Sequence, residues 1–347
     1  MQNPALPLGR VAAAATFALA SICFAPTATA DVRTMIVTSD PQYPWTTRTD
    51  ARLPESDAER DARSRALIEE QYRSIVAYRA ARPGQDIPVF INGDLTAYGH
   101  GWQRDVMARL LRILGDNVHF GLGNHDYENN IRNDRGGGCY NNGCARDSIN
   151  DLVRHVSRKQ GVVSFDFSAL PGAFNRRYQG SLAYALRAPG LDRVLNVQLN
   201  NHPIYAVSFD TTEGIFPAVY DIEPSAPWLQ NLLAERLGTP PFGTPADRAY
   251  DFAIVHMHDP DGFNGDVART LSGSDVAAVF AGHLHTRLGY YRNIGSVPVY
   301  LSGSASQRTY LVVEHDTDES VLRIYGVHDN DPEHKELLDT VRTRREG

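Results

Sequence analysis

The chain has 347 residues, of which 42% are hydrophobic and 22% charged, and its formal net charge is −7. These proportions are those of ordinary globular proteins, so they exclude a chain dominated by disorder and allow one large domain or two modest ones. The acidic balance argues against a general nucleic-acid binder, because such domains carry a basic surplus.

The first thirty residues have the pattern of an export signal. Arg10 gives a positive start, residues 11–24 are apolar, and the Ala-Thr-Ala triplet at 28–30 matches a cleavage site. We therefore expect a signal peptide over 1–30 and a secreted or periplasmic mature protein that begins at Asp31. The apolar run is too short for a comfortable membrane span, and no later run is long and apolar enough, so no membrane span is expected.

Two cysteines of the expected mature chain lie close together, at Cys139 and Cys144. In an exported protein such a pair favours a disulfide over a metal site, since zinc needs further thiolates or histidines at suitable spacing. The disulfide would pin the long insertion of residues 127–147. Because its ring is small, its stabilisation should be below about 3 kcal/mol.

The first part of the chain contains three strand-and-helix units that each end in a polar turn. Predicted strands over 32–38, 87–92 and 118–122 run into Asp40, Gly93-Asp94 and Gly123-Asn124-His125-Asp126. Helical patterns lie between them, one from Ser56 or Asp57 to Pro83-Gly84 and one over 102–114. Since ligands gather at the carboxyl edge of open α/β sheets, we expect these polar side chains to meet there.

The middle of the chain has a different order of predicted elements. Predicted strands over 162–167, 181–186 and 193–199 follow one another without long helices, which indicates a partly antiparallel sheet. Helices are predicted before and after this region, over 148–160 and 227–237.

The last third returns to the earlier pattern. A strand over 252–255 runs into His256-Met257-His258-Asp259-Pro260, and one over 276–280 runs into Ala281-Gly282-His283-Leu284-His285. Two histidines one residue apart at a strand end reach one metal centre readily, and a glycine allows close approach of the backbone. Further strands over 297–301, 310–313 and 321–325 are expected to close the second sheet, followed by a loose tail or short helix from Asp329.

Five ordered motifs, Asp-x-Gln, Gly-Asp, Gly-Asn-His-Asp, His and Gly-His-x-His, span residues 40–285. Their order resembles that of the calcineurin-like metallophosphoesterase superfamily. The resemblance implies an α/β fold, a four-layered α/β/β/α sandwich over 31–328 with a C-terminal tail over 329–347. It also implies a centre of two divalent metal ions at the carboxyl ends of the strands. One ion would be held by Asp40, Gln42, Asp94 and His285, and the other by Asp94, Asn124, His258 and His283, so that Asp94 bridges them.

Two of these ligand assignments stay open. The family usually has histidine where this chain has Gln42, so Gln42 binds directly, binds through water or does not bind. Loss of one nitrogen favours manganese or iron, with zinc also considered. His258 stands two residues before a proline, as the family's histidine does, and is preferred to His256, which lies one step deeper on the same face of the strand.

The resemblance implies hydrolysis of a phosphoric ester. Two divalent ions roughly 3.5–4 Å apart hold and activate a hydroxide that attacks phosphorus. His125 is placed to protonate the leaving alkoxide or to stabilise the charge of the phosphorane, and Asp126 to orient the His125 imidazole. The expected substrate is a small-molecule or lipid phosphoester, either a monoester or a diester. Ala97 occupies the position of the metal-binding tyrosine of purple acid phosphatases, so an iron-tyrosinate centre is not expected.

Other functions stay open at this point. A secreted metal-binding protein or toxin component would keep the fold without general phosphatase activity, but it would not need His125. An exported nuclease would use the same centre, although the acidic balance and the lack of an obvious basic or aromatic strip argue against nucleic acid as a partner. Four polar or aromatic residues are candidates for the lining of the substrate pocket as well as for ordinary structural roles: Trp45, Arg48, His100 and Trp102.

Overall fold

Strands make up most of the regular structure in this computed structural model, which describes Met1 and residues 31–132, 139–172, 175–238 and 248–343. The signal peptide predicted over 1–30 lies, except for Met1, outside the described residues, and it stays a prediction. The strands, numbered along the chain, are β1 (Val32–Thr38), β2 (Val89–Ile91), β3 (Val118–Phe120), β4 (Val162–Phe165), β5 (Ser168–Pro171), β6 (Arg176–Gly180), β7 (Tyr184–Leu186), β8 (Val194–Gln198), β9 (Val207–Glu213), β10 (Phe216–Ile222), β11 (Phe252–His256), β12 (Val276–Ala281), β13 (Leu288–Ile294), β14 (Val297–Ser302), β15 (Tyr310–Asp316), β16 (Val321–Val327) and β17 (Glu336–Arg342).

The helices lie between the strands of both halves. They are α1 (Thr47–Asp50), α2 (Asp57–Ala80), α3 (Gly101–Leu111), α4 (Gly143–Arg158), α5 (Ala226–Leu237) and α6 (Gly265–Ser272). Short 3-10 turns occur at Arg112–Leu114, Glu128–Asn130, Tyr140–Asn142 and Pro332–His334. Among the described helices, none is both long and apolar enough to cross a membrane.

The start of α2 shows how local sequence fixes an element. Ser56 precedes the helix, and its hydroxyl accepts a hydrogen bond from the backbone N–H of Glu59 while the Glu59 carboxylate accepts one from the Ser56 N–H. This reciprocal cap satisfies two N–H groups that the first turn leaves free. The predicted helix from Ser56 or Asp57 to the Pro83-Gly84 pair is thereby confirmed, and the strands on either side of it are the predicted ones.

Two large sheets carry the fold. The first has the strand order β17-β16-β15-β1-β2-β3, in which β1, β2 and β3 are parallel. The second has the order β13-β14-β12-β11-β8-β7-β4, in which β8, β11, β12 and β14 are parallel. The carboxyl ends of β1, β2 and β3 therefore share one edge of the first sheet, and those of β11 and β12 share one edge of the second.

Strand β11 shows that the two sheets face each other. Its alternate residues Phe252 and Ile254 belong to the core shared with Phe90 of β2, whereas Ala253 and Val255 pack with α5 and α6. Helix α2 buries Tyr72 and neighbouring apolar residues against the first sheet. Because side chains alternate across a strand, one sheet contributes to two cores. The predicted four-layered α/β/β/α sandwich is confirmed.

The middle of the chain is partly antiparallel, as predicted. Strands β4, β7 and β8 pair antiparallel at one end of the second sheet. The sequence pattern missed a further four-stranded sheet of order β5-β6-β10-β9, built on the hairpin of β9 and β10. It also placed the start of α4 at residue 148, whereas the helix begins at Gly143.

The C-terminal strands differ from the prediction in their sheet. Of the three predicted strands, the first, β14, joins the second sheet, while β15 pairs antiparallel with β1 and β16 follows it in the first sheet. The expected loose tail or short helix from Asp329 is also wrong for most of its length, because β17 pairs with β16 and completes that sheet. The described residues after 328 thus belong to the sandwich, apart from the short turn at Pro332–His334.

Two buried histidine rings are packed between the large sheets. His256 stacks on Phe90 with ring centroids 4.3 Å apart, and His119 lies 5.3 Å from the same phenyl ring. Burial lowers the pKa of each of these histidines to about 3. Both rings therefore act as neutral parts of the apolar core near neutral pH.

His119 makes the free energy of unfolding depend on pH. The unfolded chain binds a proton at His119 near pH 6.5 and the folded chain only near pH 3, so stability is complete above pH 6.5 and falls as pH drops. We expect a loss of about 2 kcal/mol from this group at pH 5. Urea unfolding from pH 8 to pH 5 should show a shallower decline for His119→Gln than for the wild type. The exposed His328→Gln is the control and should keep the wild-type slope; equal slopes for all three proteins would contradict the prediction.

Candidate metal centre

The predicted ligands all follow strand ends at the edge where the two sheets meet. Asp40 and Gln42 come after β1, Asp94 after β2 and Asn124 after β3. From the second sheet, His258 follows β11, and His283 and His285 follow β12. Backbone hydrogen bonds tie these turns together, from Asp40 N to Gly93 O at 3.1 Å and from Gln42 N to Asp94 O at 2.8 Å. The parallel order of the strands thus positions ligands that are far apart in the sequence.

One group of side chains surrounds the ring of His258. Its Nε2 atom lies 3.2 Å from Asp94 Oδ2 and 2.9 Å from Asn124 Oδ1, and His283 Nδ1 lies 3.1 Å from the same Asn124 oxygen. The two imidazole nitrogens are 3.3 Å apart. On its other side, His258 Nδ1 donates a hydrogen bond to the Asn92 carbonyl at 2.9 Å. This bond leaves Nε2 as the atom directed at the carboxylate and amide oxygens.

A second group surrounds Asp40. Its Oδ1 lies 3.3 Å from His285 Nε2, and its Oδ2 accepts a hydrogen bond from the backbone N–H of His283 at 3.0 Å. His258 Nδ1 is 4.0 Å from Asp40 Oδ1. Asp40 therefore adjoins both groups, and the structure brings six of the seven predicted ligands into one continuous cluster.

The charge of this cluster fits a bound cation. Asp40 and Asp94 are each 1% exposed, and neither Asp40 Oδ1 nor Asp94 Oδ2 accepts a hydrogen bond from the described residues. Burial alone lowers the pKa of His258 and His285, but the neighbouring carboxylates outweigh it and raise each to about 10. A proton on each ring thus balances the carboxylates, and a divalent ion would do the same while releasing protons. The carboxylate, amide and imidazole donors suit manganese, iron or zinc.

The backbone at the cluster is strained. Four of the seven predicted ligands have positive backbone φ angles, which residues other than glycine rarely adopt: Asp40 at 49°, Gln42 at 40°, Asp94 at 50° and His283 at 69°. Each such residue costs on the order of 1–3 kcal/mol and persists only where the surroundings hold it. The concentration of strain at this edge is what a preorganised ligand site would show.

Close approach of the turns depends on two glycines. A Cβ atom at Gly123 would lie 2.2 Å from Asp94 Oδ1, and one at Gly282 would lie 2.6 Å from Asp40 Oδ2. Neither carboxylate could keep its place beside a larger residue. The glycines of the Gly-Asn-His-Asp and Gly-His-x-His motifs therefore make room for the two buried carboxylates.

The structure bears differently on the two open assignments. His258 lies in the cluster, whereas His256 is stacked in the core and its Nε2 faces Asn196 Oδ1 at 3.5 Å. Gln42 is fully buried beside the Asp94 turn, and its amide nitrogen and oxygen both lack a hydrogen-bond partner in the part of the chain that the structure describes. A buried amide without partners is costly, and coordination of a metal ion by its oxygen would reduce that cost. The role of Gln42 as a ligand stays a prediction.

His125 adjoins the cluster without belonging to it. Its backbone N–H donates to Asp94 Oδ1 at 2.9 Å, and its ring Nδ1 donates to the Ala97 carbonyl at 2.8 Å. The Nε2 atom is therefore the nitrogen available for proton transfer. The side chain is partly exposed, in contrast to the buried carboxylates.

The predicted role of Asp126 as the partner of the His125 ring is wrong. Its carboxylate accepts hydrogen bonds from the backbone N–H groups of Leu95, Thr96 and Gly123 and from the Thr96 hydroxyl, at 2.9 to 3.0 Å. Burial and the charge of Asp94 raise its pKa to about 6, against the effect of these backbone donors. Asp126 fixes the turn that carries Asp94, and the Ala97 carbonyl orients the imidazole.

Asp50 is a residue that the sequence pattern did not single out. One of its oxygens accepts hydrogen bonds from His285 Nδ1 and Trp45 Nε1, both at 2.7 Å, and the other accepts from Ser306 and Gln307, both at 2.8 Å. Burial alone raises the pKa of Asp50, but the bond and charge of His285 and the other donors lower it to about 2. Asp50 thus orients His285 so that Nε2 faces Asp40. It lies in a four-residue helix with no motif, so no sequence signal marked it.

The two cysteines form the expected disulfide, with Cα atoms 5.2 Å apart. Residues between Cys139 and Cys144 attach to the four-stranded sheet, where Asn142 Nδ2 donates to the Asp210 carbonyl and Thr211 Oγ1 to the Asn141 carbonyl. His100 Nδ1 lies 3.4 Å from one sulfur and 3.6 Å from the other. The disulfide therefore anchors this loop beside the start of α3.

A family model for calcineurin-like phosphoesterases matches residues 34–287, a span that includes every predicted ligand. The chain belongs to the calcineurin-like phosphoesterase family. No match was found among curated proteins. Membership in this family agrees with the resemblance drawn from the motifs and with the four-layered fold.

Several solved structures are similar to this calcineurin-like phosphoesterase at low identity. Purple acid phosphatase PPD1 from yellow lupin (Lupinus luteus) seeds aligns with a TM-score of 0.51 and 12% identity, over 90% of this chain and 53% of that one. The calcineurin-like phosphoesterase YfkN of Bacillus subtilis aligns with a TM-score of 0.39 and 12% identity, over 90% of each chain. The sulfate thiohydrolase SoxB of Thermus thermophilus aligns with a TM-score of 0.47 and 12% identity, over 88% of this chain and 58% of that one. The chain spans about half the length of the lupin enzyme, and that likeness supports the fold alone.

We expect Gln42 to lower the stability of the metal-free protein and to strengthen its binding of metal. We expect Gln42→Met to raise the free energy of unfolding in chelator by about 1–3 kcal/mol, because it removes a buried amide without partners. The same change should weaken binding of Mn²⁺ measured by calorimetry. The matched control is Gln71→Met, since Gln71 is equally buried but is bonded to Thr38 and Thr309; this change should destabilise the protein. Unchanged Mn²⁺ affinity in Gln42→Met would remove Gln42 from the ligand set.

Asp50 should control metal affinity without being a ligand. In Asp50→Asn the charge is lost and the amide N–H₂ group meets the donors of Ser306 and Gln307, so the orientation of His285 is weakened. We expect the affinity for Mn²⁺ to fall roughly 10–100-fold, with the fold retained. Electron paramagnetic resonance of free and bound Mn²⁺ would measure this, with the exposed Asp57→Asn as control. An affinity equal to that of the control would contradict the assigned role.

Proposed function

We propose that this protein is an exported, metal-dependent hydrolase of phosphoric esters with a dinuclear centre. The observation that carries the proposal is the position of His125, whose backbone is bonded to Asp94 and whose Nε2 atom is left available beside the predicted ligands. A protein that only holds metal has no need of a proton-transferring side chain at that point. The family, which consists of phosphoesterases, supports the same reaction class.

The predicted ligands divide the work between them. When bound, two divalent ions would activate the attacking water and neutralise charge on the phosphoryl oxygens. Asp40 and His285 would hold one ion, with Gln42 as a further candidate, and Asn124, His258 and His283 would hold the other, with Asp94 shared. The Asn92 carbonyl and Asp50 fix the rings of His258 and His285, so little reorganisation is needed before reaction.

His125 supplies the proton that the leaving group needs. In its acid form the ring carries a proton on each nitrogen, and Nδ1–H stays bonded to the Ala97 carbonyl. As the bond from phosphorus to the ester oxygen breaks, Nε2 gives its proton to that oxygen and the alcohol departs. The ring is left neutral, and a proton from the attacking water restores the acid form.

Export is part of the proposal for two reasons. Residues 1–30 have the composition of a signal peptide, and the described chain contains the Cys139–Cys144 disulfide. Disulfides persist in oxidising compartments such as the periplasm or the extracellular space. Small-molecule or lipid phosphoesters are the proposed substrates.

Hydrolysis of two chromogenic esters tests the proposal. We expect the mature protein to cleave p-nitrophenyl phosphate or bis-p-nitrophenyl phosphate, to lose activity with chelator and to regain it with manganese, iron or zinc. Asp94→Asn should lose both bound metal and turnover. His125→Ala should keep bound metal and lose about 10²–10⁴-fold of kcat on an alkyl ester, with a smaller loss on the p-nitrophenyl ester, because p-nitrophenolate departs without a proton.

The exposed His328→Ala is the control for His125→Ala and should match the wild type. Stoichiometric metal binding without cleavage of any ester would favour the alternative, a secreted metal-binding protein or toxin component on this fold. An equal loss on alkyl and p-nitrophenyl esters in His125→Ala would mean that His125 stabilises phosphoryl charge rather than protonating the leaving group.

A further inference from the structure

Two aromatic side chains from different loops contact the His125 ring. The Trp45 ring lies 5.3 Å from the imidazole at an interplanar angle of 71°, and the Tyr98 ring lies 6.4 Å from it at 62°. Trp45 follows β1 and Tyr98 follows β2, so the two rings reach His125 from the same loops that carry the metal ligands. His125 is the residue that faces the leaving alcohol in the proposed reaction.

Part of this aromatic surface is open to solvent. Tyr98 is 37% exposed, and Trp102, in the first turn of α3, is 49% exposed. Trp102 packs edge-on against the buried ring of Tyr43, at 5.7 Å, which ties it to the same loop as Trp45. Single exposed aromatic residues are common on protein surfaces, but several at the mouth of a polar site indicate a ligand surface.

The arginines nearest to these rings in the chain are already engaged. Arg48 donates two hydrogen bonds to the Pro54 carbonyl, and Arg104 pairs with Asp147 and Asp151. A leaving group with a second phosphate or a carboxylate would need such a cation. The rings instead offer apolar faces, which suit a flat and uncharged group.

We propose that Tyr98, with Trp45 and Trp102, forms a subsite for a flat aromatic group on the alcohol part of the substrate, as in nucleoside or aryl phosphates. Tyr98 stacks on that group while His125 protonates the oxygen that joins it to phosphorus. This inference rests on the proposed function, because His125 defines the side of the leaving alcohol. It narrows the substrates to phosphoesters whose alcohol carries an aromatic ring.

Two matched substrate pairs test the subsite. Adenosine 5′-monophosphate and ribose 5-phosphate differ in the base near the same primary alcohol, and benzyl and cyclohexylmethyl phosphate differ in whether a ring of six carbons is flat. They would be used as monoesters, or as methyl diesters if diesters are cleaved better. We expect kcat/KM to be at least about ten-fold higher for the aromatic member of each pair, as one stacked base typically contributes.

Variants of Tyr98 distinguish stacking from other effects. In Tyr98→Ala the ratio of kcat/KM within each pair should fall toward one, whereas Tyr98→Phe, which keeps the ring, should retain it. The exposed Tyr290→Ala, on β13, is the control and should keep the wild-type ratio. Ratios near one in the wild type, or ratios that Tyr98→Ala does not change, would overturn the subsite.

A binding measurement separates failure of the subsite from failure of the proposed function. Calorimetric titration with adenosine 5′-monophosphate and Mn²⁺ reports binding even if no ester is cleaved. Binding that is weakened in Tyr98→Ala, without hydrolysis, would support the subsite and contradict the hydrolase. Hydrolysis of p-nitrophenyl esters without preference in either matched pair would support the hydrolase and contradict the subsite.

Discussion

Two buried carboxylates, those of Asp40 and Asp94, are the constraint on which the rest of the structure depends. A carboxylate removed from water is costly unless charges and hydrogen-bond donors surround it. Here these groups come from both sheets: the rings of His258 and His285, and the backbone N–H groups of other residues at the same edge. The sheets must therefore meet at their carboxyl edges, and the sandwich is the arrangement that lets them do so.

The site is held against its own strain by the two cores. Positive φ values at four predicted ligands and the buried amide of Gln42 all disfavour the folded state without a metal ion. The apolar layers between and outside the sheets offset this cost, and a bound cation would add to the stability by mass action. Function and stability thus oppose each other at this edge, as they often do at preorganised sites.

Residues around the predicted metal centre fix the orientation of two imidazole rings. The Ala97 carbonyl and Asp50 each fix one imidazole through its Nδ1 atom, so that its Nε2 atom is left for other contacts. Trp45 connects the two, since its indole donates to Asp50 and its ring contacts both His125 and His285. The proposed proton donor and a predicted metal ligand are therefore positioned by one small network, to which Trp45 belongs.

The sequence by itself determined the strand ends and the family, because apolar runs that end in polar turns and five ordered motifs are local signals that survive without the fold. Only the tertiary structure decided that Asp126 braces the Asp94 turn, that Asp50 orients His285 and that β15 to β17 complete the first sheet. These outcomes depend on pairing between segments that are far apart in the chain. A hydrogen bond between Asp50 and His285, 235 residues apart, leaves no periodic trace in the sequence around either residue.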